Sequence, residues 1–366
     1  MRAGPLVCLL ALVGCGAKTG LEIPEYHLDA ARPDTGVDAA PTDAGFDAPM
    51  CVPGHFPLTP ETAEMMLVID RSASMRLTIA GEPEQPVDLW RWTILRDALT
   101  DALGTLDPRV LVGAKFYPDP ITIPMPPPAV ACSGTGPVDV LPGPATRPAI
   151  LSLFTTTDPN GGTPTAVALD VAAGGFSPGA PRRFLLLATD GAPNCNAGLD
   201  ARTCICTSPG MACTNPSPGV FSCLDDTRTV NVLRHLFVDE GIPTYVVGIE
   251  GPDFVDTLDL MARAGGRPRT VPGERAFYSV RSAEDLHSAL TDITESISAC
   301  GFVTPSLPPD DTRFSIAIDG SAVAADPMNG WTWVDRARGE LELHGEACER
   351  ARLGMQIEAI IDSCPR

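Results

Sequence analysis

Beyond residue 13 the chain has no apolar run approaching the roughly 18 residues that a bilayer-crossing helix needs, so nothing downstream of its amino terminus reads as a membrane span. Basic residues are scarce. The 26 Lys and Arg stand against 46 Asp and Glu, and the resulting formal net charge of −20 argues against nucleic acid and anionic lipid as partners. Only five histidines occur, at positions 27, 55, 235, 287 and 344, in the amino-terminal stretch, at a domain edge, in expected helices and in the tail. With no Gly-x-Ser-x-Gly elbow and no histidine near the serines of interest, a hydrolase is not expected, and the chain is read as a non-enzyme. Paired Cys-x-x-Cys motifs are missing, which disfavours a zinc knuckle around Cys204-Ile205-Cys206. Loops of the EF-hand type are missing too, although Asp29, Asp34, Asp38, Asp43 and Asp47 recur at short intervals, because the fixed glycine and closing glutamate are not there.

What is present is concentrated in three segments. The apolar run Met65-Met66-Leu67-Val68-Ile69 reads as a buried strand and leads into Asp70-Arg71-Ser72-Ala73-Ser74. Gly161-Gly162-Thr163-Pro164-Thr165 opens an expected helix through Ala173, with Pro164 suited to its first turn. A second buried strand, Arg183 to Thr189, ends in Asp190-Gly191. Asp70, Ser72, Ser74, Thr163 and Asp190 would together form an oxygen-only site. Two carboxylates with several hydroxyls suit a hard divalent cation that retains water, Mg²⁺ or Mn²⁺, better than a caged Ca²⁺. They also leave the cation electrophilic toward one further anionic oxygen. The competing reading is a set of helix caps, since Asp and Ser after a strand often do no more than start a helix.

The order Asp-x-Ser-x-Ser, then Thr in a Gly-rich helix start, then Asp-Gly after a hydrophobic strand, resembles the metal-ion-dependent adhesion site of the von Willebrand factor A (vWA) family over roughly residues 59 to 300. The resemblance implies a doubly wound, mainly parallel α/β sheet. It also implies inner-shell or near-inner roles for Ser72, Ser74 and Thr163, with Asp70 and Asp190 holding the cation largely through water. Ala73 stands where the family more often has glycine.

Strands and helices alternate as such a sheet requires. Val110 to Phe116 and Thr244 to Ile249 read as further buried strands, with a helix at about Thr227 to Phe237. Asp88 is expected to cap a helix carrying Trp90, Ile94, Leu95, Ala98 and Leu103 and ending before Gly104. Ser282-Ala283-Glu284-Asp285 resembles a capping box before a helix with Leu286, Leu290, Ile293 and Ile297 on one face.

At the amino terminus, Met1-Arg2 and the apolar Pro5 to Val13 read as a signal peptide, and Leu12-Val13-Gly14-Cys15 resembles a bacterial lipobox. Cys15 would become a lipidated amino terminus that anchors the protein in a bilayer. Gly16 in the following position favours the outer membrane by resemblance to lipoprotein sorting. Residues 16 to 58 read as a disordered tether, rich in Asp, Ala and Pro, with a reach on the order of 30 Å. The vWA-like domain is expected over 59–300, with a Cys-rich insertion at 193–225 overhanging the metal, and a small β module over 301–366.

Ten cysteines remain once Cys8 and Cys15 are set aside, an even number that means disulfides in an exported chain. Because domains of this family start and end on one side, the resemblance implies a bond between Cys51 and Cys300. Cys348 would pair with Cys364 inside the tail. Cys132 would pair with a cysteine of the insertion, Cys195 being its proposed partner, with Cys204, Cys206, Cys213 and Cys223 left to staple that loop. The expected function is metal-dependent binding of a protein ligand that supplies an acidic residue, from a lipid-anchored position on the bacterial outer membrane. The alternative is a scaffold subunit of an envelope assembly in which the domain serves as a docking module.

Overall fold

The strand that leads into the first motif, β2 (Ala63–Asp70), is buried at every position, and its side chains alternate between two cores. Met65, Leu67 and Ile69 face one layer, built by α1 (Arg91–Thr105), α3 (Arg147–Thr156) and α7 (Ala283–Ala299). Met66 and Val68 face the other, built by α4 (Thr165–Ala173), α5 (Asp226–Val238) and α6 (Val255–Ala264). Neither face meets water, which is why the strand reads as an unbroken apolar run. This computed structural model describes residues 50–366 except 60–61, 84, 124–125, 181, 209–211, 215–218, 250–253, 270, 272 and 365–366. The lipobox reading with Cys15, and the tether reading up to residue 49, lie outside the described residues.

The central sheet runs β4 (Val140–Gly143), β3 (Val110–Tyr117), β2, β5 (Arg182–Thr189), β6 (Thr244–Ile249), β7 (Tyr278–Val280), with only β4 antiparallel. A single turn, α2 (Pro128–Ala131), precedes β4. The fold is thus a vWA-like doubly wound α/β sheet. β2 is where the strand order reverses, its neighbours β3 and β5 lying on opposite sides, and open sheets place ligands at that point beyond the carboxyl ends of the strands.

Two local expectations change. α1 starts at Arg91 rather than after an Asp88 cap, because Val87–Leu89 forms a separate 3₁₀ turn and Trp90 is extended at φ −69°, ψ 143°. Gly104 falls inside the helix, and Trp90 packs half-buried at its start. The start of α7 matches its pattern: the Ser282 hydroxyl accepts from the Asp285 amide at 3.0 Å, and Leu286, Leu290, Ile293 and Ile297 are all buried.

The tail module takes a strand from upstream of the domain. β1 (Gly54–Leu58) pairs antiparallel with β13 (Ile357–Ile361), followed by β9 (Phe314–Ile318) and β10 (Ser321–Val323). The second sheet holds β11 (Trp331–Asp335), β12 (Glu340–Leu343) and β8 (Gly301–Val303), with α8 (Gly345–Arg352) beside it. Leu58, Phe302, Phe314, Ile316, Trp331 and Leu341 share its core. The tether expected over 16–58 is therefore corrected at its end, since residues 54–58 are part of the module.

This strand exchange also corrects two disulfides. Gly54 faces Ile361 across β1 and β13, which brings Cys51, just before one strand, next to Cys364, just after the other; they are bonded with Cα atoms 5.8 Å apart. Cys300, at the end of α7, bonds Cys348 of α8 at 5.2 Å. The expected Cys51–Cys300 and Cys348–Cys364 pairs are thus replaced by Cys51–Cys364 and Cys300–Cys348. The domain's last helix is fastened to the module rather than to the chain's entry point.

Buried charges join the module to the amino edge of the sheet. Arg182, at the start of β5, meets Glu340 of β12 at 3.2 Å. Arg267 pairs with Glu342, which also accepts from the Ser296 hydroxyl of α7 at 2.6 Å. Burial alone would raise the Glu342 pKa, but Arg267 and Ser296 more than offset this and hold it below the usual carboxylate range. Glu342 therefore contributes stability that is complete above the ordinary glutamate pKa and fades as pH falls through its depressed folded value. Glu342→Ala, which takes from the largely buried Arg267 its paired carboxylate, is expected to cost about 3 kcal/mol near pH 7 by chemical denaturation. A loss below about 1 kcal/mol would show that this interface does not hold the module in place.

Candidate metal centre

The carboxyl ends of β2 and β5 lie side by side, with Ile69 opposite Ala188, so Asp70 and the Thr189-Asp190 pair arrive together. Asp70 is fully buried. Its Oδ1 accepts the Ser72 amide at 2.8 Å and its Oδ2 accepts the Thr189 hydroxyl at 2.6 Å. The chain then turns into a 3₁₀ segment, Ala73–Arg76, which brings Ser72 Oγ within 2.9 Å of Ser74 Oγ. Ser74 Oγ donates to Asp190 Oδ1 at 2.8 Å. Four of the five expected residues thus form one hydrogen-bonded chain.

Thr163 comes from the loop before α4, and backbone bonds fasten that loop to the first. The Ala73 amide donates to the Gly161 carbonyl at 3.1 Å, and the Asn160 amide to the Arg71 carbonyl at 2.8 Å. Gly161 has φ +89°, and a Cβ there would lie 2.5 Å from the Ala131 carbonyl oxygen, so only glycine permits this approach. Thr163 is 5 % exposed, and among the described residues its hydroxyl has no hydrogen-bond partner.

The Cys-rich insertion braces the same loop. Cys132 and Cys195 are bonded with Cα atoms 5.3 Å apart, and a Cβ at Gly162 would fall 2.5 Å from the Cys195 sulfur. Asn194 holds Thr163 from both sides of its backbone: Asn194 Oδ1 accepts the Thr163 amide at 2.7 Å, and the Asn194 amide donates to the Thr163 carbonyl at 2.9 Å. Asn194 in turn donates to Thr207 of the insertion, which Cys204–Cys223 and Cys206–Cys213 close. These sulfurs are all in disulfides, so no thiolate there is free for zinc. Sequence reading missed Asn194, although its place four residues after Asp190 and beside Cys195 was visible.

Sequence reading also missed Arg91. Its Nη1 lies 2.6 Å from Asp190 Oδ2, with both side chains buried. Among the described residues Asp70 has no such partner. Burial first, and the Asp190 charge second, push its pKa up to about 7, against the lowering effect of the Thr189 and Ser72 hydrogen bonds. All five candidate groups offer oxygen, two of them carboxylates, and burial beside a second carboxylate raises the pKa of one of them. That donor set fits a hard divalent cation. Clefts of about 580 Å³ between α1, α7 and the module, and about 710 Å³ around Tyr278, contain none of these groups. The candidate centre is instead an open rim, with Ala73 exposed and Ser74 half-exposed.

The strand order and the three motifs at its carboxyl edge define a vWA-like α/β domain with an oxygen-only centre. No family model matches the chain, and no curated protein does. Among solved structures it is similar to the PilB minor pilin from Streptococcus sanguinis at 16% identity, covering 66% of this chain and 62% of that one, with a TM-score of 0.45. It is similar to the pilus adhesin SpaC from Lactobacillus rhamnosus GG at 15% identity, over 84% of this chain and 40% of that one, with a TM-score of 0.43. The manganese-loaded Plasmodium vivax TRAP protein matches at 15% identity, over 66% of this chain and 77% of its own, with a TM-score of 0.39. The chain thus spans less than two thirds of PilB and of SpaC.

A buried carboxyl with a raised folded pKa binds its proton more tightly in the folded than in the unfolded state. Stability of the metal-free protein should therefore fall as pH rises from about 4 to about 7. In EDTA, the thermal midpoint of the wild type is expected to drop over this range more than that of Asp70→Asn, which has no titrating carboxyl, keeps an acceptor for the Ser72 amide and offers an N–H to the Thr189 hydroxyl oxygen. Parallel pH profiles for the two proteins would show that Asp70 ionises without penalty.

Proposed function

We propose that this chain binds a protein partner through a divalent cation, Mg²⁺ or Mn²⁺, held by Ser72, Ser74, Thr163, Asp70 and Asp190. The observation that carries this reading is the convergence of three loops at the reversal point of the sheet, linked from Asp70 through Ser72 and Ser74 to Asp190. Bound there, the cation would supply a Lewis-acidic position for a partner's Asp or Glu carboxylate. The protein's own groups do the rest. Ser74 Oγ donates a hydrogen bond to Asp190, which leaves its lone pairs free, and among the described residues the Thr163 hydroxyl has no competing bond. Asp70 and Asp190 would hold the cation largely through water, in the roles that the resemblance gives them.

Hydrolysis finds no support in the positions of the histidines. His55 and His287 are exposed, His235 pairs with Asp239 at 2.7 Å, and His344 meets Thr332 in the module. Five disulfides support an exported protein, since such bonds persist in oxidising compartments. Among the described residues no helix is long and apolar enough to cross a membrane. Anchoring through a lipid on Cys15 of a bacterial outer-membrane protein completes the proposal, and surface labelling of intact cells separates an adhesin from an internal scaffold.

A cation that binds only the folded state stabilises it by RT ln(1 + [L]/Kd), about 2.7 kcal/mol at a hundredfold excess over Kd. Mn²⁺ is therefore expected to raise the thermal midpoint of the wild type and not of Asp70→Ala. Proteins captured from an envelope extract by the immobilised chain should be lost in EDTA and with Asp70→Ala. Equal midpoint shifts in wild type and variant would contradict the assignment of the site.

A further inference from the structure

The metal centre carries a positive charge of its own. Arg91 is the first residue of α1, and its amide is anchored on the Leu77 carbonyl at 2.9 Å. Its guanidinium is 4 % exposed and reaches Asp190 Oδ2 at 2.6 Å. The turn around Gly81 closes over it, a Cβ at Gly81 falling 3.8 Å from Arg91 Nη2. Among the described residues, Arg91 Nε is buried without a hydrogen-bond partner and the side chain's one ion pair is with Asp190. Nothing in a helix-capping role calls for this arrangement, because a cation at a helix amino terminus opposes the dipole.

We propose that Arg91 is a resident counter-cation of the metal centre, which weakens cation binding by the free protein and makes that binding depend on an acidic ligand. The inference rests on the metal-dependent reading above. Asp70 and Asp190 supply two negative charges, and Arg91 cancels one of them by direct contact with Asp190. A divalent cation with both carboxylates ionised then leaves the centre at a net charge of about +1 rather than neutral, by simple addition of formal charges. The excess repels the cation and attracts a carboxylate. An acidic ligand restores neutrality, so cation and ligand each raise the other's affinity, a coupling that is reciprocal by thermodynamic necessity. Low dielectric around the buried pair keeps the effect from being screened by salt.

The test measures Mn²⁺ binding directly, by calorimetry and by the loss of the free-ion electron paramagnetic resonance signal, with acetate as the carboxylate probe. Arg91→Gln keeps an N–H donor for Asp190 without the charge, and Arg91→Met is a second neutral variant should the first not fold. Either is expected to bind Mn²⁺ at least about tenfold more tightly than wild type, since a neighbouring unit charge has been removed. Arg91→Lys, which keeps the charge, should stay within about threefold of wild type on the same ground. Saturating acetate should tighten Mn²⁺ binding in the wild type and in Arg91→Lys, and less in the neutral variants. Asp190→Ala placed on Arg91→Gln should abolish the tight binding and so locate it at this centre. Wild-type binding with no gain in a folded neutral variant would overturn the proposal while leaving the metal centre intact. Failure of every protein, neutral variants included, to bind Mn²⁺ would overturn both.

Discussion

Two carboxylates at the carboxyl ends of adjacent parallel strands cannot both be ionised, buried and unneutralised, and the arrangement around Asp70 and Asp190 follows from that constraint. Asp190 accepts a hydrogen bond from the Ser74 hydroxyl on one oxygen and a charge-assisted one from Arg91 on the other. Among the described residues Asp70 receives only neutral donors, the Ser72 amide and the Thr189 hydroxyl, and its carboxyl is left with a raised pKa. The asymmetry makes the centre a place where one more positive charge is favoured. Beside it the first loop forms a rim that opens to solvent at Ala73 and, partly, at Ser74.

The rest of the molecule keeps that rim in place. On the site's side, the Cys132–Cys195 bond and the Asn194 contacts hold Thr163 against the first loop. At the opposite edge of the sheet, Arg182 and Arg267 reach Glu340 and Glu342 of the module, while Cys300–Cys348 fixes the end of α7 to α8. The module is closed in its turn by β1 against β13 and by Cys51–Cys364, which joins the two ends of the described chain. The vWA-like domain is thus inserted between two parts of the module's own sheet.

How much of this was legible in the sequence depended on how local the physics was. β2, β5 and β6 could be read because strands buried on both faces leave unbroken apolar runs, and α7 because a Ser282 cap precedes a 3.6-residue stripe. The three motifs could be read because each sits within a few residues of a strand end or helix start. The partner of β1 could not, since Gly54–Leu58 carries no mark of β13 at the far end of the chain. The Cys51 and Cys300 bonds were misassigned for the same reason: they follow that strand pairing rather than the family-like sheet. Arg91 was hidden in what read as an ordinary amphipathic helix, where a lone arginine looks like a solvated residue and only the fold turns it toward Asp190.

Diffraction at the manganese absorption edge, from crystals of the full chain grown with Mn²⁺, tests the central claim most directly. The account predicts an anomalous peak among the hydroxyls of Ser72, Ser74 and Thr163, with Asp70 and Asp190 beside it. An ordered site without such a peak, or manganese held instead by surface carboxylates such as Asp256 and Asp259, would contradict it.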